Sequence, residues 1–259
     1  MRGKKIKNNI MESGTDEAVV LGGKLPKVGR SHRVTIKVEH LWKSFKVGEQ
    51  KITVLKDIDL TFYSGEFVII FGPSGCGKST LLHTMLGLEE PDKGRVFLRD
   101  KSIYQMDEDS RSIWRREKMG MVFQQSNWIK SLNVLENVAY PLYLTNSSEK
   151  SINDHALEAL VTVGMEKFGN QLPTELSGGQ QQKVALARAL ITDPGIIVAD
   201  EPTGNLDSKS GKELINFLLM LNREKRKAII MVTHDEAFLP IANRRIMMKD
   251  GRVVGDEHE

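Results

Sequence analysis

Residues 72–80 read Gly-Pro-Ser-Gly-Cys-Gly-Lys-Ser-Thr. A glycine, four further residues and then Gly-Lys-Ser is the spacing of a phosphate-binding loop. The chemistry requires glycines because backbone N–H groups must curl round phosphate oxygens without interference from Cβ atoms. An uninterrupted apolar run, 67–71, precedes the loop, and a helical pattern, 78–88, follows it. Motif and context therefore agree on a strand, a phosphate-binding loop and a helix.

Two side chains of this loop are assigned specific chemistry. Lys78 is predicted to reach the β and γ phosphates of a nucleotide, and the Ser79 hydroxyl is predicted to ligate Mg²⁺. A glycine-rich turn of purely structural purpose would not need Lys followed by Ser at these positions. Cys76 occupies a permissive position, and we interpret it as a loop residue without a redox role. The other residues predicted to contact the nucleotide here are Gly72, Ser74, Gly75, Gly77 and Thr80.

A second signal is the apolar run 196–199, which ends in the adjacent acids Asp200 and Glu201. A buried strand that delivers carboxylates at its C-terminal edge places them where an α/β sheet binds its ligand. Asp200 is predicted to hold Mg²⁺, directly or through water, and Glu201 to act as general base on the attacking water. Acids after a strand also serve as helix caps, but their combination with the phosphate loop favours catalysis.

The remaining periodicity indicates an α/β fold. Residues 34–38 alternate apolar and polar side chains as a half-buried strand does, whereas the run 228–232 is apolar throughout. Helical patterns cover 177–190 and 214–221, so strands and helices alternate and predict a mostly parallel sheet covered by helices. The middle of the chain, from about 102 to 173, shows an amphipathic pattern and no buried-strand run. We interpret it as a mostly helical insert.

Composition limits the classes of protein to consider. The 259 residues include 37 Lys and Arg against 34 Asp and Glu, and the hydrophobic fraction of 40% suits a globular core. Five-residue apolar runs are far shorter than the roughly 20 residues of a membrane span. With one cysteine and no signal-peptide pattern, the expected compartment is the cytoplasm.

The first thirty residues hold seven basic and three acidic side chains, interrupted by glycine and proline. We interpret 1–33 as a flexible basic leader. A solvated tail is favoured over contact with anionic lipid or nucleic acid. The rest of the chain is close to neutral and lacks the broad basic face of a nucleic-acid clamp, so no nucleic-acid partner is expected.

Residues 176–180, Leu-Ser-Gly-Gly-Gln, open the helical pattern that runs to 190. They supply a second set of backbone N–H groups at a helix N-terminus, which is a second phosphate-binding end. With this motif the chain, from about 34 to 254, resembles the ATPase subunits of ABC transporters. The resemblance implies a P-loop NTPase of ABC type, with an N-terminal antiparallel β subdomain. It also implies a helical insert of about 102–190 that carries the motif, and a short tail, 255–259.

The resemblance also implies roles for residues whose own pattern is weak. Gln124 resembles the glutamine that touches Mg²⁺ and the attacking water beside the transporter contact. Asp207, in Gly-Asn-Leu-Asp, resembles the acid of a loop that crosses to the partner subunit. His234 resembles the histidine that holds the γ-phosphate, and Phe45 the aromatic residue that stacks on adenine, where the family more often has Tyr.

The implied mechanism requires two chains arranged head to tail. Each of two ATP molecules would lie between the phosphate loop of one chain and residues of the other chain's Leu-Ser-Gly-Gly-Gln motif. ATP binding would close the pair and hydrolysis would open it. The contributing residues of the motif are Ser177, Gly178, Gly179 and Gln180.

Within the family, residues 199–208, 134–138 and 141–142 resemble the lipoprotein-releasing, macrolide-efflux and cell-division ATPases. The implied partner is a membrane permease with few spanning helices, which would place this chain peripherally on the inner face of the cytoplasmic membrane. The sequence departs from this group at 127–130 and at Lys183. Trp128 and Ile129 either pack inside the insert or line the groove that accepts the permease.

Three other interpretations are weaker. A soluble ABC-type ATPase acting on chromosomes or ribosomes would carry long heptad arms or a second ATPase half, and neither is present. A regulatory module without turnover usually lacks one of Glu201, Gln124 and His234. A small-molecule kinase has no use for the Leu-Ser-Gly-Gly-Gln helix start.

Overall fold

The computed structural model describes residues 33–125, 127–145 and 148–258, which form ten strands and six α-helices. The strands are β1 (Val34–Val47), β2 (Gln50–Tyr63), β3 (Phe67–Phe71), β4 (Lys93–Leu98), β5 (Lys101–Ser102), β6 (Met119–Phe123), β7 (Ile196–Asp200), β8 (Ala228–Thr233), β9 (Arg244–Lys249) and β10 (Arg252–His258). The helices are α1 (Lys78–Met85), α2 (Glu108–Lys118), α3 (Val134–Tyr143), α4 (Glu149–Thr162), α5 (Gly178–Leu190) and α6 (Ser208–Lys225).

An antiparallel sheet of order β2-β1-β4-β5 forms the N-terminal subdomain. The alternation predicted for 34–38 is confirmed at 36–38, where Ile36 and Val38 are buried on β1 while Lys37 between them is exposed, but not at 34–35, where Val34 is half-buried and Thr35 is buried. This inner face packs into one core with α1, including Leu81 and Leu82. The antiparallel sheet is therefore fastened to the helix that follows the phosphate loop.

The second sheet has the order β10-β9-β3-β8-β7-β6. All neighbouring strands in it are parallel except β10, which runs antiparallel to β9. β8 is buried along its whole length and β3 and β7 along all but their last residue, since the antiparallel sheet and α1 cover one face and α5 and α6 cover the other. The predicted α/β class with a mostly parallel sheet is confirmed. Parallel order brings the C-terminal ends of β3, β8 and β7 to one edge.

The predicted helical insert was wrong in one respect. Residues 119–123 form β6 and pair with β7 at the edge of the large sheet, within the range of about 102–190 expected for the insert. The strand lacks a branched apolar run because Gly120 is required: a Cβ there would overlap the carbonyl oxygen of Ala189 on α5. Close packing of a helix on the strand thus removed the pattern that would have revealed it.

The remainder of the insert is helical as predicted. Ile152, Ala156 and Leu160 are buried on one face of α4 and pack against α3 and α5. Asn133 begins α3 with a capping box that includes Glu136. No helix in the described ranges is both long and apolar enough to cross a membrane.

The folded part of the chain extends beyond the predicted boundary at its C-terminal end. The expected tail, 255–259, was wrong, because β10 continues through Gly255 to His258. Its polar alternation hid it, although Asp256 pairs with the buried Arg244 of β9. Of the expected leader, 1–33, only Arg33 lies within the described residues.

Candidate functional site

The glycines of residues 72–80 lie in backbone conformations that other residues rarely adopt. Gly72, Gly75 and Gly77 have φ values of +149°, +77° and +104°. A Cβ on Gly72 would overlap the carbonyl oxygen of Met248 on β9, and one on Gly77 would lie 3.0 Å from the carbonyl oxygen of Val54 on β2. The loop is thus pressed between both sheets, and only glycine fits at these two positions.

The charged end of Lys78 lies against this loop. The residue is buried, and its Nζ donates to the carbonyl oxygens of Gly72 (2.8 Å) and Pro73 (3.1 Å). Lys78 is also the first residue of α1, whose N-terminus has no side-chain cap. The ammonium group and the first N–H groups of a helix therefore meet in one loop, which is the arrangement that suits a phosphate.

Ser79 and Asp200 come together across the sheet edge. The Ser79 hydroxyl donates to Oδ1 of Asp200 over 3.0 Å, because α1 starts beside the C-terminal end of β7. Burial raises the pKa of the Asp200 carboxyl group, and the hydrogen bond from Ser79 opposes that rise. A hydroxyl and a carboxylate oxygen are ligands that Mg²⁺ accepts, so these two side chains fit the predicted metal position.

His83 is a neighbour of this pair that sequence reasoning missed. It lies four residues after Ser79 on α1, and its Nε2 is 3.9 Å from Oδ2 of Asp200. Its ring also contacts the edge of Phe123 at the end of β6, with 6.5 Å between ring centroids. The helical i, i+4 spacing from Ser79 was the available signal.

Glu201 and His234 form a second pair at the ends of neighbouring strands. Nδ1 of His234 lies 2.9 Å from Oε2 of Glu201, a distance that fits an imidazole N–H donating to the carboxylate. Glu201 has a φ of +47°, in the left-handed region, and its backbone N–H donates to the carbonyl of Val232. A strained backbone at a side chain with proposed chemistry is typical of functional sites.

Gln124 follows β6 directly and is exposed. Its Nε2 lies 3.0 Å from the position that a Cβ of Gly204 would occupy, and its carbonyl accepts a hydrogen bond from Asn205 over 3.4 Å. Gln124 therefore contacts the segment that follows Glu201. The structure describes no hydrogen bond from its side chain to Ser79 or Asp200.

The residues of the Leu-Ser-Gly-Gly-Gln motif open α5 as predicted. Ser177 is exposed, its hydroxyl accepts from the N–H of Gln180 (3.3 Å), and Oε1 of Gln180 accepts from the N–H of Ser177 (2.8 Å). The Cβ positions of Gly178 and Gly179 face Asn205 and Ser210, at 3.4 Å and 2.6 Å. The motif thus lies against the start of α6 and presents its serine to solvent.

Two further predicted residues lie in ordinary structural settings. Asp207 begins α6, and its carboxylate accepts hydrogen bonds from Lys209 and Ser210, of which the bond from the Ser210 hydroxyl lowers its pKa. Phe45 is half-buried on β1, with Nζ of Lys43 5.0 Å from its ring centroid. It belongs to the β1–β2 hairpin whose Val54 packs on the phosphate loop. Their roles toward a partner chain and toward adenine stay predictions.

The side chains of Trp128 and Ile129 are partly buried and partly exposed. Each is half-buried, and Trp128 packs against the core formed by α3, α4 and α5. The buried Asn137 holds the segment in shape, because its side chain accepts from the N–H of Ile129 and donates to the Ile129 carbonyl. Parts of both side chains stay accessible at the surface.

Comparison with known proteins identifies the family of this chain. The family model described as ABC transporter matches residues 55–204. Over 216 residues, the chain is 38% identical to the lipoprotein-releasing system ATP-binding protein LolD of Idiomarina loihiensis, covering 83% of this chain and 95% of that protein. It is 43% identical to the macrolide export ATP-binding/permease protein MacB of Bdellovibrio bacteriovorus, covering 86% of this chain but only 34% of MacB.

A solved structure shares the fold closely. It is a dimeric post-hydrolysis state of the ATP-binding cassette MJ0796, from Methanocaldococcus jannaschii, bound to ADP and Pi. It superposes with a TM-score of 0.81 at 42% identity and covers 86% of this chain and 98% of that one. The phosphate loop, the paired strand-end acids and the serine-capped helix are thus found within the expected family fold. This chain belongs to the family of ABC transporter ATP-binding proteins, and it is an ATPase.

Proposed function

We propose that two copies of this chain close around two ATP molecules and use their hydrolysis to drive a separate membrane permease. One observation carries the proposal. The chain holds a phosphate loop beside the Ser79–Asp200 pair, while its second phosphate-binding helix end exposes Ser177 next to residues 205–210. A helix end that is capped, exposed and turned to its own chain's α6 is available to a nucleotide held by another chain.

Each side chain of the site has a place in this proposal. Lys78 and the backbone N–H groups of residues 72–80 bind the β and γ phosphates, and Ser79 with Asp200 holds Mg²⁺, with Gln124 nearby. Mg²⁺ held by these residues would neutralise charge on the phosphate oxygens. Glu201 accepts the proton of the attacking water. His234, bonded to Glu201, orients that carboxylate and reaches the γ-phosphate.

The coupling to a membrane partner rests on the relatives. MacB is named as an ATP-binding and permease protein, and this chain matches about a third of it. LolD is named as the ATP-binding protein of a lipoprotein-releasing system. We infer that the permease of this chain is a separate polypeptide, that it contacts the segment 127–129, and that it holds the chain at the inner face of the membrane.

Mixing two inactive variants tests the shared site. Lys78→Ala removes the phosphate loop's cation, and Ser177→Arg blocks the partner's phosphate with a bulky charge. A mixed pair contains one site in which both halves are intact, so the mixture is expected to regain ATPase activity that neither variant shows alone. Thr174→Arg, an exposed change just before the motif, is the control and is expected to keep turnover. Absence of complementation, or normal turnover by Ser177→Arg, would contradict the proposal.

A further inference from the structure

Three consecutive glutamines lie in the first turn of α5, and each makes a different contact. Gln180 closes the capping box with Ser177. Gln181 and Gln182 instead reach toward the segment that follows β6. Side chains of one helical turn therefore hold both Ser177, which we place at the partner's nucleotide, and the segment after β6, which we place at the permease.

Gln182 fixes the near end of the segment. It is 4% exposed, and its Nε2 donates to the carbonyl oxygens of Phe123 (3.1 Å) and Gln124 (3.2 Å). Its Oε1 is buried and has no hydrogen-bond partner among the described residues. The amide of Gln182 therefore uses its N–H donors to hold two successive backbone carbonyls, and it does so although its own oxygen is left without a described partner.

Gln181 fixes the far end. Its Oε1 accepts from Nε1 of Trp128 over 3.1 Å, and its Nε2 donates to the carbonyl of Leu176 over 3.1 Å. Leu176 is the residue directly before Ser177. One planar amide thus joins the indole of Trp128 to the backbone that enters the Leu-Ser-Gly-Gly-Gln motif.

Arg188 keeps Trp128 in place for this contact. Its guanidinium carbon lies 4.5 Å from the centroid of the Trp128 ring, and its Nη1 donates to the carbonyl of Asn127 over 3.3 Å. Burial lowers the pKa of Arg188 to about 10, so the group stays cationic at neutral pH. Two contacts therefore hold the indole: its N–H donates to Gln181, and its ring face lies against the Arg188 guanidinium.

We propose that Gln181 is a positioning residue that couples Ser177 to the segment 127–129 through its two amide hydrogen bonds. The inference deepens the proposed function and rests on it. Because the donor and the acceptor of one rigid amide are engaged at once, a displacement of Trp128 moves the Leu176 carbonyl, and engagement of Ser177 moves Trp128. Gln182 anchors the other end of the segment, so the displacement is not absorbed there.

Trp128 itself reports the coupling. The described residues contain two other tryptophans, Trp42 and Trp114, and replacing both with Phe leaves Trp128 as the fluorophore. With Glu201→Gln added to slow hydrolysis, MgATP is expected to change Trp128 emission as the pair of chains closes. In Gln181→Met, ATP affinity is expected to persist while most of that change in emission is lost.

One variant breaks half of the link, and a second variant on the same helix is the control. Gln181→Glu keeps an oxygen that accepts from Trp128 but loses the donor to Leu176, so it is expected to lose the response as Gln181→Met does. Lys183→Met removes a neighbouring polar side chain on α5 that pairs with Glu213, and it is expected to keep the response. In the otherwise unaltered chain, Gln181→Glu should lower kcat and leave KM for ATP unchanged.

A full response in Gln181→Glu, or a parent that binds ATP tightly with no change in Trp128 emission, overturns the inference. If Gln181→Met does not fold, Gln181→Glu and its kcat decide the matter. Failure of the proposed function is seen separately, as absent ATP binding or absent turnover in the chain with Gln181 intact.

Discussion

Nδ1 of His234 lies 2.9 Å from Oε2 of Glu201, and this contact joins the ends of two neighbouring strands of the large sheet. It holds the carboxylate of a residue whose backbone is already in the left-handed region. This contact orients the side chain proposed to accept a proton, which reduces the reorganisation that hydrolysis requires.

Glu201→Gln is expected to bind ATP as the parent does and to lower kcat at least about 100-fold, because an amide cannot accept the proton of the attacking water. Glutamine has the same shape and similar backbone preferences, so folding should be unchanged. Steady-state ATPase assays give the rate, and size-exclusion chromatography with ATP should show the paired form accumulating. Near-normal turnover would remove Glu201 from the role of general base.

Lys78→Ala is expected to abolish ATP binding and pairing together, since the loop loses the cation that lies over the Gly72 and Pro73 carbonyls. Equilibrium binding of a fluorescent ATP analogue measures the loss. Lys225→Ala, an exposed change at the end of α6, removes the same charge elsewhere and should leave affinity unaltered. Retained tight binding in Lys78→Ala would show that the loop is not the phosphate site.

Gly72→Ala is expected to destabilise the chain by about 2–4 kcal/mol, because the new Cβ would overlap the Met248 carbonyl and the residue has a positive φ. Urea unfolding followed by circular dichroism measures the free energy of unfolding. Gly195→Ala is the control: no atom lies within 4 Å of its Cβ position, and a change within about 0.5 kcal/mol is expected. Equal stability of the two variants would contradict the close packing of the loop on β9.

Asp256→Asn tests the pairing of β10 with β9 through pH. Arg244 donates to both carboxylate oxygens of Asp256, over 2.8 Å and 2.7 Å, and the hydrogen bonds lower the pKa of that carboxyl group. Since the folded-state pKa lies below the unfolded value, the pair stabilises the fold above the unfolded pKa and loses this contribution as the pH falls.

We therefore expect the parent to exceed Asp256→Asn in free energy of unfolding by about 1–2 kcal/mol at pH 7. The difference should shrink as the pH falls through about 4, near the unfolded pKa of Asp. Urea titrations at several pH values provide the comparison. A gap that is constant from pH 7 to pH 3 would show that the charge of Asp256 does not stabilise β10.

Ile129→Asp is expected to detach the permease while leaving ATP turnover within about twofold of the parent, since the part of the side chain that is exposed accommodates the charge and the substitution removes no hydrogen bond of the segment. The shape of this segment depends on Asn137 rather than on the Ile129 side chain. Co-purification from membranes measures attachment, with Ile113→Asp, an exposed apolar residue on α2, as the control. Intact attachment of Ile129→Asp would place the permease elsewhere.

Contiguous motifs made much of the fold predictable. The glycines of residues 72–80, the apolar run before Asp200 and the serine at 177 each carry their signal within a few neighbouring residues. The pairing of strands with partners distant in the sequence was less predictable. β6 was missed because Gly120 is required by α5, and β10 because an edge strand paired through Arg244 and Asp256 reads as a polar tail.

The sequence proposed the members of the site but not the contacts between them. The sequence indicated Asp200 as a metal ligand and Glu201 as a general base, and the structure adds their neighbours: Asp200 accepts a hydrogen bond from Ser79, and Glu201 lies beside His234. His83 and Gln181 contact residues far away in the chain; the four-residue spacing from Ser79 was a local signal for His83, whereas no local pattern distinguishes Gln181 from an ordinary helix position.

The absence of a side chain at Gly179 brings the starts of α5 and α6 within touching distance, with Ser210 filling the space. A neighbouring molecule that meets Ser177 consequently meets residues 205–207 in the same encounter, at a spacing set by this chain alone. If two chains pair as we propose, the second ATPase has to complement both helix ends simultaneously, so Gly179 and Ser210 would limit which chains can pair with this one without themselves touching the partner.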